Sequence, residues 1–157
     1  SSLIARRFAP VKTVMCASPD YLEHRGIPQS PDELIEHQCI VYSLLRDYEY
    51  WHLTDAKGNE IKTKVHPYLK ASTGEFIRDA AVEGRGIILV PTFIVYKEIE
   101  RGALVPVLND YTFPQINAYA IYPQTRHLSQ RVRTFVDYLV NRFEGTPYWD
   151  LCLQKST

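Results

Sequence analysis

The sequence has no excess of charge of either sign and no block of basic residues. Among its 157 residues, 18 are Lys or Arg and 18 are Asp or Glu, so the formal net charge is zero. Proteins that grip a phosphate backbone use clustered Lys and Arg, and this balance therefore argues against nucleic-acid binding by this stretch. No apolar run approaches the roughly 20 residues of a membrane span, and the opening residues lack the pattern of a signal peptide.

Cysteine is scarce as well. The three cysteines, Cys16, Cys39 and Cys152, are odd in number and far apart. Such a pattern is typical of reduced, buried thiols and does not suggest a disulfide framework, so we expect a cytoplasmic protein. The chain is long enough for one sizeable domain or two small lobes.

The motifs of the common enzyme and metal sites are missing. There is no phosphate-binding glycine loop, no dinucleotide fingerprint and no nucleophile elbow. The histidines show neither the i, i+4 pairing nor the neighbouring cysteines of a metal site; they are His24, His37, His52, His66 and His127. We therefore expect no catalytic residues, no metal and no cofactor, and we predict that the chain is not an enzyme.

The most informative stretch is residues 70–91, K-A-S-T-G-E-F-I-R-D-A-A-V-E-G-R-G-I-I-L-V-P. Ser72 and Glu75 have the spacing of a capping box, which predicts a helix start. Gly84 and Gly86 predict the helix end, and residues 87–90 form an apolar run typical of a buried strand. The helix would turn one apolar face inward, made of Phe76, Ile77, Ala80 and Ala81.

The start of this helix is the first candidate site. Free N–H groups at a helix start, beside the small hydroxyl side chains of Ser72 and Thr73 and next to Gly74, favour a carboxylate or another polar ligand group. The alternative is that these residues only cap the helix.

Strand and helix patterns alternate through most of the chain, which predicts an α/β fold with a largely parallel sheet. A proline at position 10 divides the first two strands, and Pro106 interrupts a strand over residues 104–108. The clearest predicted strands are residues 3–8, 11–17, 39–42, 48–53, 61–65 and 116–122. Helix N-caps are expected at Ser18, Ser30 and Thr92, and a further helix is expected to open at Ser129.

Parallel sheets bind ligands where strands end and the next helix begins. Three such segments are candidates for one pocket: Tyr42 with Ser43, then Ser72, Thr73 and Gly74, then Pro91, Thr92 and Phe93. The sequence alone leaves open whether they share a pocket.

The helix from Ser129 carries an apolar stripe at helical spacing: Val132, Phe135, Val136, Leu139, Val140 and Phe143. Near its start, Arg126, His127, Arg131 and Arg133 form the only basic cluster. This cluster is either a solvated helix start or a contact for a partner. A final helical turn over residues 148–153 would dock Trp149 and Leu151.

Four stretches together resemble the effector-binding, or substrate-binding, domain of LysR-type transcriptional regulators. They are S-S-L-I-A-R-R-F-A-P-V-K-T-V-M-C-A-S-P-D-Y-L-E-H-R-G, S-P-D-E-L-I-E-H-Q-C-I-V-Y-S, G-E-F-I-R-D-A-A-V-E-G-R-G-I-I-L-V-P and A-Y-A-I-Y-P-Q-T-R-H-L-S-Q-R-V-R-T-F-V-D-Y-L-V-N-R-F. Their order and spacing are those of the family, and they cover most of the chain.

The resemblance implies a fold like that of type II periplasmic binding proteins, with two Rossmann-like lobes joined by two crossover strands. Residues 1–17 would hold the remainder of the first lobe and the outward crossover strand, and residues 18–107 the complete second lobe. Residues 108–157 would hold the returning strand and the C-terminal helix of the first lobe. The winged helix-turn-helix and the start of the first lobe are not represented, so the first lobe is expected to be incomplete.

The resemblance also implies a function. The domain would bind a small-molecule effector, such as an organic acid, in the cleft between the lobes and would form a homodimer or a higher homo-oligomer. DNA would be bound only through the absent N-terminal domain, and no membrane is involved. The expected effector contacts are Tyr42, Ser43, Ser72, Thr73, Gly74, Pro91 and Phe93. The alternative is a solute-binding protein of a transport system with the same fold.

One difference from the family concerns the recognition turn. Where the family often has Asn-Asp, this chain has Ser72 and Thr73, which should shift its ligand preference.

Overall fold

The computed structural model describes residues 2–124 and 128–155. The strands are β1 (Leu3–Val11), β2 (Thr13–Ala17), β3 (Gln38–Tyr42), β4 (Tyr50–Thr54), β5 (Glu60–Lys64), β6 (His66–Ala71), β7 (Ile87–Pro91), β8 (Val105–Pro106) and β9 (Ile116–Pro123). The helices are α1 (Pro19–Arg25), α2 (Gly74–Val82), α3 (Thr92–Glu100) and α4 (Gln130–Arg142), and Pro31–Glu36 and Tyr148–Lys155 are 3₁₀ helices. The chain forms two compact units, residues 12–114 and the described parts of 1–11 and 115–157.

The larger unit contains a five-stranded sheet in the order β6-β3-β7-β2-β8. β3 runs parallel to β6 and β7, whereas β2 runs antiparallel to β7 and β8. The predicted α/β class is therefore correct, and the sheet is mixed where a largely parallel one was expected. The difference arises because β2 enters the sheet against the direction of its neighbours. β4 and β5 form a separate antiparallel hairpin.

The core of the larger unit lies between this sheet, α1 and the hairpin. Met15, Leu34, Val41, Val65 and Ile87 in it are at most 1% exposed. Burial of apolar side chains in this core is the dominant favourable contribution to the folding of this unit.

The first predicted helix start, at Ser18, is confirmed as the start of an α-helix, whereas the second, at Ser30, begins a 3₁₀ helix. Ser18 is the N-cap of α1, and its Oγ accepts from the Tyr21 N–H at 3.1 Å, as predicted. The segment after Ser30 is a 3₁₀ helix, in which Leu34 is buried but Ile35 is 45% exposed. The tighter turn of a 3₁₀ helix moves Ile35 off the packed face.

The smaller unit is a ribbon of β1 and β9 with α4 on one face. The prediction that Pro10 divides the first two strands was wrong. β1 runs through Pro10 and ends at Val11. In the described residues β1 pairs only with β9, and an edge strand tolerates a residue without an N–H. The ribbon contacts α4 through the Arg6–Asp137 ion pair at 2.5 Å and the Phe8 and Phe143 rings, whose centroids lie 5.7 Å apart.

Two predicted apolar faces are only partly buried. On α4, Val136 is buried, but Phe135 is 60% exposed. On α2, Ile77 and Ala81 are buried, but Phe76 is 53% exposed. Helical spacing identifies the apolar stripe correctly, but burial also depends on what packs against it. In the final 3₁₀ helix, Trp149 is buried and Leu151 is 43% exposed.

Candidate functional site

The carboxyl ends of β3 and β6 bring two of the predicted segments together. Tyr42 lies opposite Ala71 in the parallel register, and the Ser43 N–H donates to the Ala71 carbonyl at 2.8 Å. Ser43 therefore lies beside the turn that begins at Ser72. Ser43 and Tyr42 are half-buried, whereas Ser72 and Thr73 are exposed.

β7 brings the third segment to the same edge. It pairs in parallel with β3, with Ile40 opposite Ile88, so Pro91 at its end lies on the side of Tyr42 and Ser43. The starts of α2 and α3 also touch, since a Cβ built on Gly74 would lie 2.5 Å from the Ile94 Cδ1 atom. The predicted site residues thus share one edge of the larger unit, and Ile94 joins them there without a sequence motif that predicts it.

The prediction of a capping box formed by Ser72 and Glu75 was wrong. The N-cap of α2 is Thr73, whose φ of −126° and ψ of 138° are extended, and its side chain makes no cap hydrogen bond. Ser72 lies one residue before the N-cap, so Glu75 does not have the spacing needed to complete a box with it. Because its side chain does not cap the helix, the exposed Thr73 is compatible with a ligand contact.

The start of α3 also differs from the prediction by one residue. Pro91 is the N-cap, and Thr92 is the first helical residue. Thr92 is fully buried, and its N–H and Oγ1 both donate to the Lys12 carbonyl, at 3.0 and 3.3 Å. Phe93, by contrast, is 47% exposed at the edge of the site.

The electrostatics of this edge are set by two helix starts. α2 leaves the N–H groups of its first turn without intrahelical partners, and such groups attract a carboxylate or another anion. At the start of α3, the Thr92 N–H donates to the Lys12 carbonyl. α2 has Glu75 in its first turn, whereas α3 has no acidic residue there. Lys70 lies just before the turn, where its Nζ donates to the Tyr48 hydroxyl at 2.8 Å. The edge thus offers hydroxyl and amide donors.

A cavity of about 410 Å³ lies elsewhere on the same unit. It is lined by β6 and α2 through Tyr68, Leu69, Phe76, Asp79, Ala80, Glu83 and Arg85, and it contains none of the predicted site residues.

The searched part of the chain, residues 2–124 and 128–155, contains no group of three His, Cys, Asp or Glu side chains that could hold a metal ion. Over the same residues, no helix is both long and apolar enough to cross a membrane. Of the predicted basic cluster, Arg131 and Arg133 are exposed on α4, while Arg126 and His127 lie outside the described residues.

The family model for the LysR substrate binding domain matches residues 1–144. The chain belongs to this family. The resemblance of the four sequence stretches is thereby confirmed, and the LysR-type regulatory domain has the type II periplasmic-binding-protein-like fold that was predicted.

Curated relatives of this LysR-type domain are transcriptional regulators. The regulator CrgA of Neisseria meningitidis serogroup B is 35% identical over 141 residues, which are 89% of this chain and 46% of CrgA. The transcriptional activator TtdR of Escherichia coli K12 is 35% identical over 139 residues, 87% of this chain and 44% of TtdR. The chain thus spans less than half the length of these relatives, and the alternative of a transport protein is not favoured.

Solved structures agree with this assignment. The regulatory domain of CrgA from Neisseria meningitidis has a TM-score of 0.79 and 33% identity, covering 91% of this chain and 70% of that one. The full-length Vibrio cholerae virulence activator AphB also has a TM-score of 0.79 and 33% identity, covering 91% of this chain and 49% of AphB.

Proposed function

We propose that this LysR-type domain senses a small carboxylate at the edge formed by Ser43, Ser72, Thr73, Gly74 and Pro91. The observation that carries the proposal is the convergence of β3, β6 and β7, which end side by side in front of two helix starts. The hydroxyls of Ser72 and Thr73 would supply hydrogen bonds, and the N–H groups at Gly74 would face the anionic end of the effector. Tyr42, Pro91 and Phe93 would form the remaining wall.

Binding would regulate transcription by changing the relative population of two conformations of the domain. A ligand shifts such an equilibrium only by its difference in affinity for the two states. The DNA contacts would belong to a DNA-binding domain outside this chain, and the protein would act in the cytoplasm as a homodimer or a higher homo-oligomer. Sedimentation equilibrium tests the last point, and a strictly monomeric protein would contradict it.

The ligand class is tested by isothermal titration with acetate, succinate, citrate and benzoate. For an acid that binds, we expect Thr73→Ala to weaken the affinity about tenfold, the effect of losing one hydrogen bond to a charged group. Thr134→Ala is the matched control, because Thr134 is an exposed threonine on α4 in the other unit. Equal affinities of the two variants would show that the turn at Thr73 is not the recognition turn. Failure of every acid to bind would overturn the ligand class.

A further inference from the structure

Two adjacent leucines lie directly after Ser43 and are left uncovered by the fold. Leu44 is 69% exposed and Leu45 is 60% exposed, the highest values among the large apolar side chains of residues 12–114. Single exposed leucines are common on protein surfaces, whereas neighbouring ones that border a polar site indicate contact with an apolar group. Because neither side chain packs in the core, both are available for such a contact.

Backbone hydrogen bonds place the two leucines at the candidate site. The Ser43 N–H donates to the Ala71 carbonyl at 2.8 Å. The Leu45 N–H donates to the Tyr42 carbonyl at 3.3 Å. These bonds are made at the carboxyl ends of β3 and β6, next to Ser72. The leucines therefore begin where the predicted effector contacts lie.

The rest of this loop is held by side-chain contacts. The Lys62 Nζ donates to Asp47 at 2.8 Å, and the Lys70 Nζ donates to the Tyr48 hydroxyl at 2.8 Å. Arg46, which follows the leucines, is exposed and takes part in none of the ion pairs of the described chain. A loop held in this way loses little conformational freedom when it binds a ligand, and its uncompensated positive charge suits an anionic one.

The strand order arranges polar and apolar groups along this edge. In the sheet, β3 lies between β6 and β7. The hydroxyls of Ser72 and Thr73 follow β6, the leucines follow β3, and the half-exposed Phe93 follows β7. Neighbouring strands are about 4.8 Å apart, so the leucine segment begins about 5 Å from the turn at Ser72. A ligand with its polar head at Ser72 and Thr73 would therefore lay its body against the leucines.

We propose that Leu44 and Leu45 form an apolar subsite, which selects an effector whose apolar body spans about one strand spacing, the length of about four carbon atoms. That the head of this effector is a carboxylate rests on the function proposed above. The apolar subsite rests on the position and exposure of the two leucines. Small hydrophilic acids such as succinate would bind weakly, because they leave the leucines in water.

A series of ligands that differ only in apolar length tests the subsite. The probes are acetate, butanoate and hexanoate, with hexanamide as the uncharged analogue of the longest acid. Titrations followed by NMR of protein labelled with ¹³C in its leucine methyl groups give the affinity of each probe. We expect the affinity to rise about threefold for each added methylene, somewhat less than full burial of that group allows.

The leucine variants show whether this rise comes from the subsite. Leu44→Ala and Leu45→Ala shorten the apolar side chains, and the signals that each variant loses assign the methyl resonances. Leu3→Ala is the matched control, because Leu3 is 63% exposed in the other unit. We expect Leu44→Ala and Leu45→Ala each to weaken hexanoate about fivefold and to leave acetate unchanged. Leu3→Ala should affect neither acid, and only the methyl signals of Leu44 and Leu45 should move when hexanoate is added.

An affinity that does not rise with chain length, or that rises equally in both leucine variants, would overturn the subsite even if Thr73→Ala weakens acetate. Binding of hexanamide as tight as that of hexanoate, with the same dependence on the leucines, would support the subsite and overturn the carboxylate head. If no probe binds, both the subsite and the ligand class are wrong. A flat series together with loss of self-association in the leucine variants, measured by sedimentation, would show that a second copy of the chain covers the leucines, which also overturns the subsite.

Discussion

Gly74 and Ile94 are in direct contact at the starts of α2 and α3. A Cβ built on Gly74 would lie 2.5 Å from the Ile94 Cδ1 atom, closer than real Cβ contacts allow. Gly74 does not have a positive φ. Glycine is therefore required at position 74 because of this close approach and not because of the backbone conformation. The absence of one side chain therefore sets how near the two helix starts lie at the candidate site.

The contact predicts that the effect of Gly74→Ala depends on residue 94. Alanine favours a helix over glycine by up to about 1 kcal/mol, but overpacking costs about 1–3 kcal/mol. We expect Gly74→Ala to lower the free energy of unfolding by about 1 kcal/mol in the wild-type background. In an Ile94→Val background, which lacks Cδ1, it should be neutral or stabilising. Urea denaturation of the four proteins measures the difference, and equal effects in both backgrounds would show that the contact does not matter.

Gly86 provides a second prediction, because here the obstacle is backbone. Its φ is +153°, and an added Cβ would collide with the Gln38 carbonyl oxygen. We expect Gly86→Ala to destabilise the protein by about 3 kcal/mol or more, since neither the strained conformation nor the main chain can relax cheaply. Gly58→Ala is the control, because Gly58 also has a positive φ, +86°, but open space around its Cβ position. Equal midpoints in thermal denaturation of the two variants would contradict this account.

Features of the fold that are determined by residues adjacent in the sequence could be predicted. Ser18 followed by Pro19 predicted the start of α1, and the observed Ser18 cap confirms it. Alternation of strands and helices made the segments after β3, β6 and β7 candidates for one pocket, because parallel strands end at one edge. Their proximity in the structure follows from that rule.

Features that depend on distant partners could not be predicted. Pro10 continues β1 because that strand has a free edge, which the sequence does not show. Thr73 and Pro91 are the N-caps in place of Ser72 and Thr92, and neither makes a side-chain cap hydrogen bond. The ends of β6 and β7 therefore decide where these helices begin. Phe76 is exposed because burial of a helix face needs a second surface, which periodicity cannot supply.

The buried Cys39 thiol is predicted to react slowly with alkylating reagents in the folded protein. Burial raises the pKa of the Cys39 thiol to about 12, and the thiolate is the reactive form. We expect Cys39 to resist iodoacetamide in the native protein at about pH 8, a little below the ordinary thiol pKa, and to react after unfolding in urea. Mass spectrometry of the alkylated peptides measures both states. Alkylation of Cys39 at equal rates in the native and unfolded protein would mean that the thiol is accessible.

Tyr21, His37 and Gln38 form a buried hydrogen-bonded chain that predicts the response to acid. The Gln38 N–H donates to the Tyr21 hydroxyl at 3.0 Å, so that hydroxyl can donate to His37 Nδ1, 3.1 Å away. This arrangement uses neutral His37. Burial lowers the pKa of His37; Glu33 and Glu36 oppose the shift, while Arg25 adds to it. Protonation would place a second hydrogen between His37 and Tyr21.

The sign of the effect follows from the lowered pKa. Below the unfolded value of about 6.5, the unfolded chain binds more protons at His37 than the folded protein does, so stability falls as the pH falls. We expect His37→Asn to lose less stability than the wild-type protein between about pH 7 and about pH 5. His24→Asn is the control, because the Asp20 carbonyl raises the pKa of the exposed His24, and stability from that group is lost as the pH rises. Denaturation curves in which His37→Asn and the wild-type protein lose stability in parallel would exclude His37 as the group that responds.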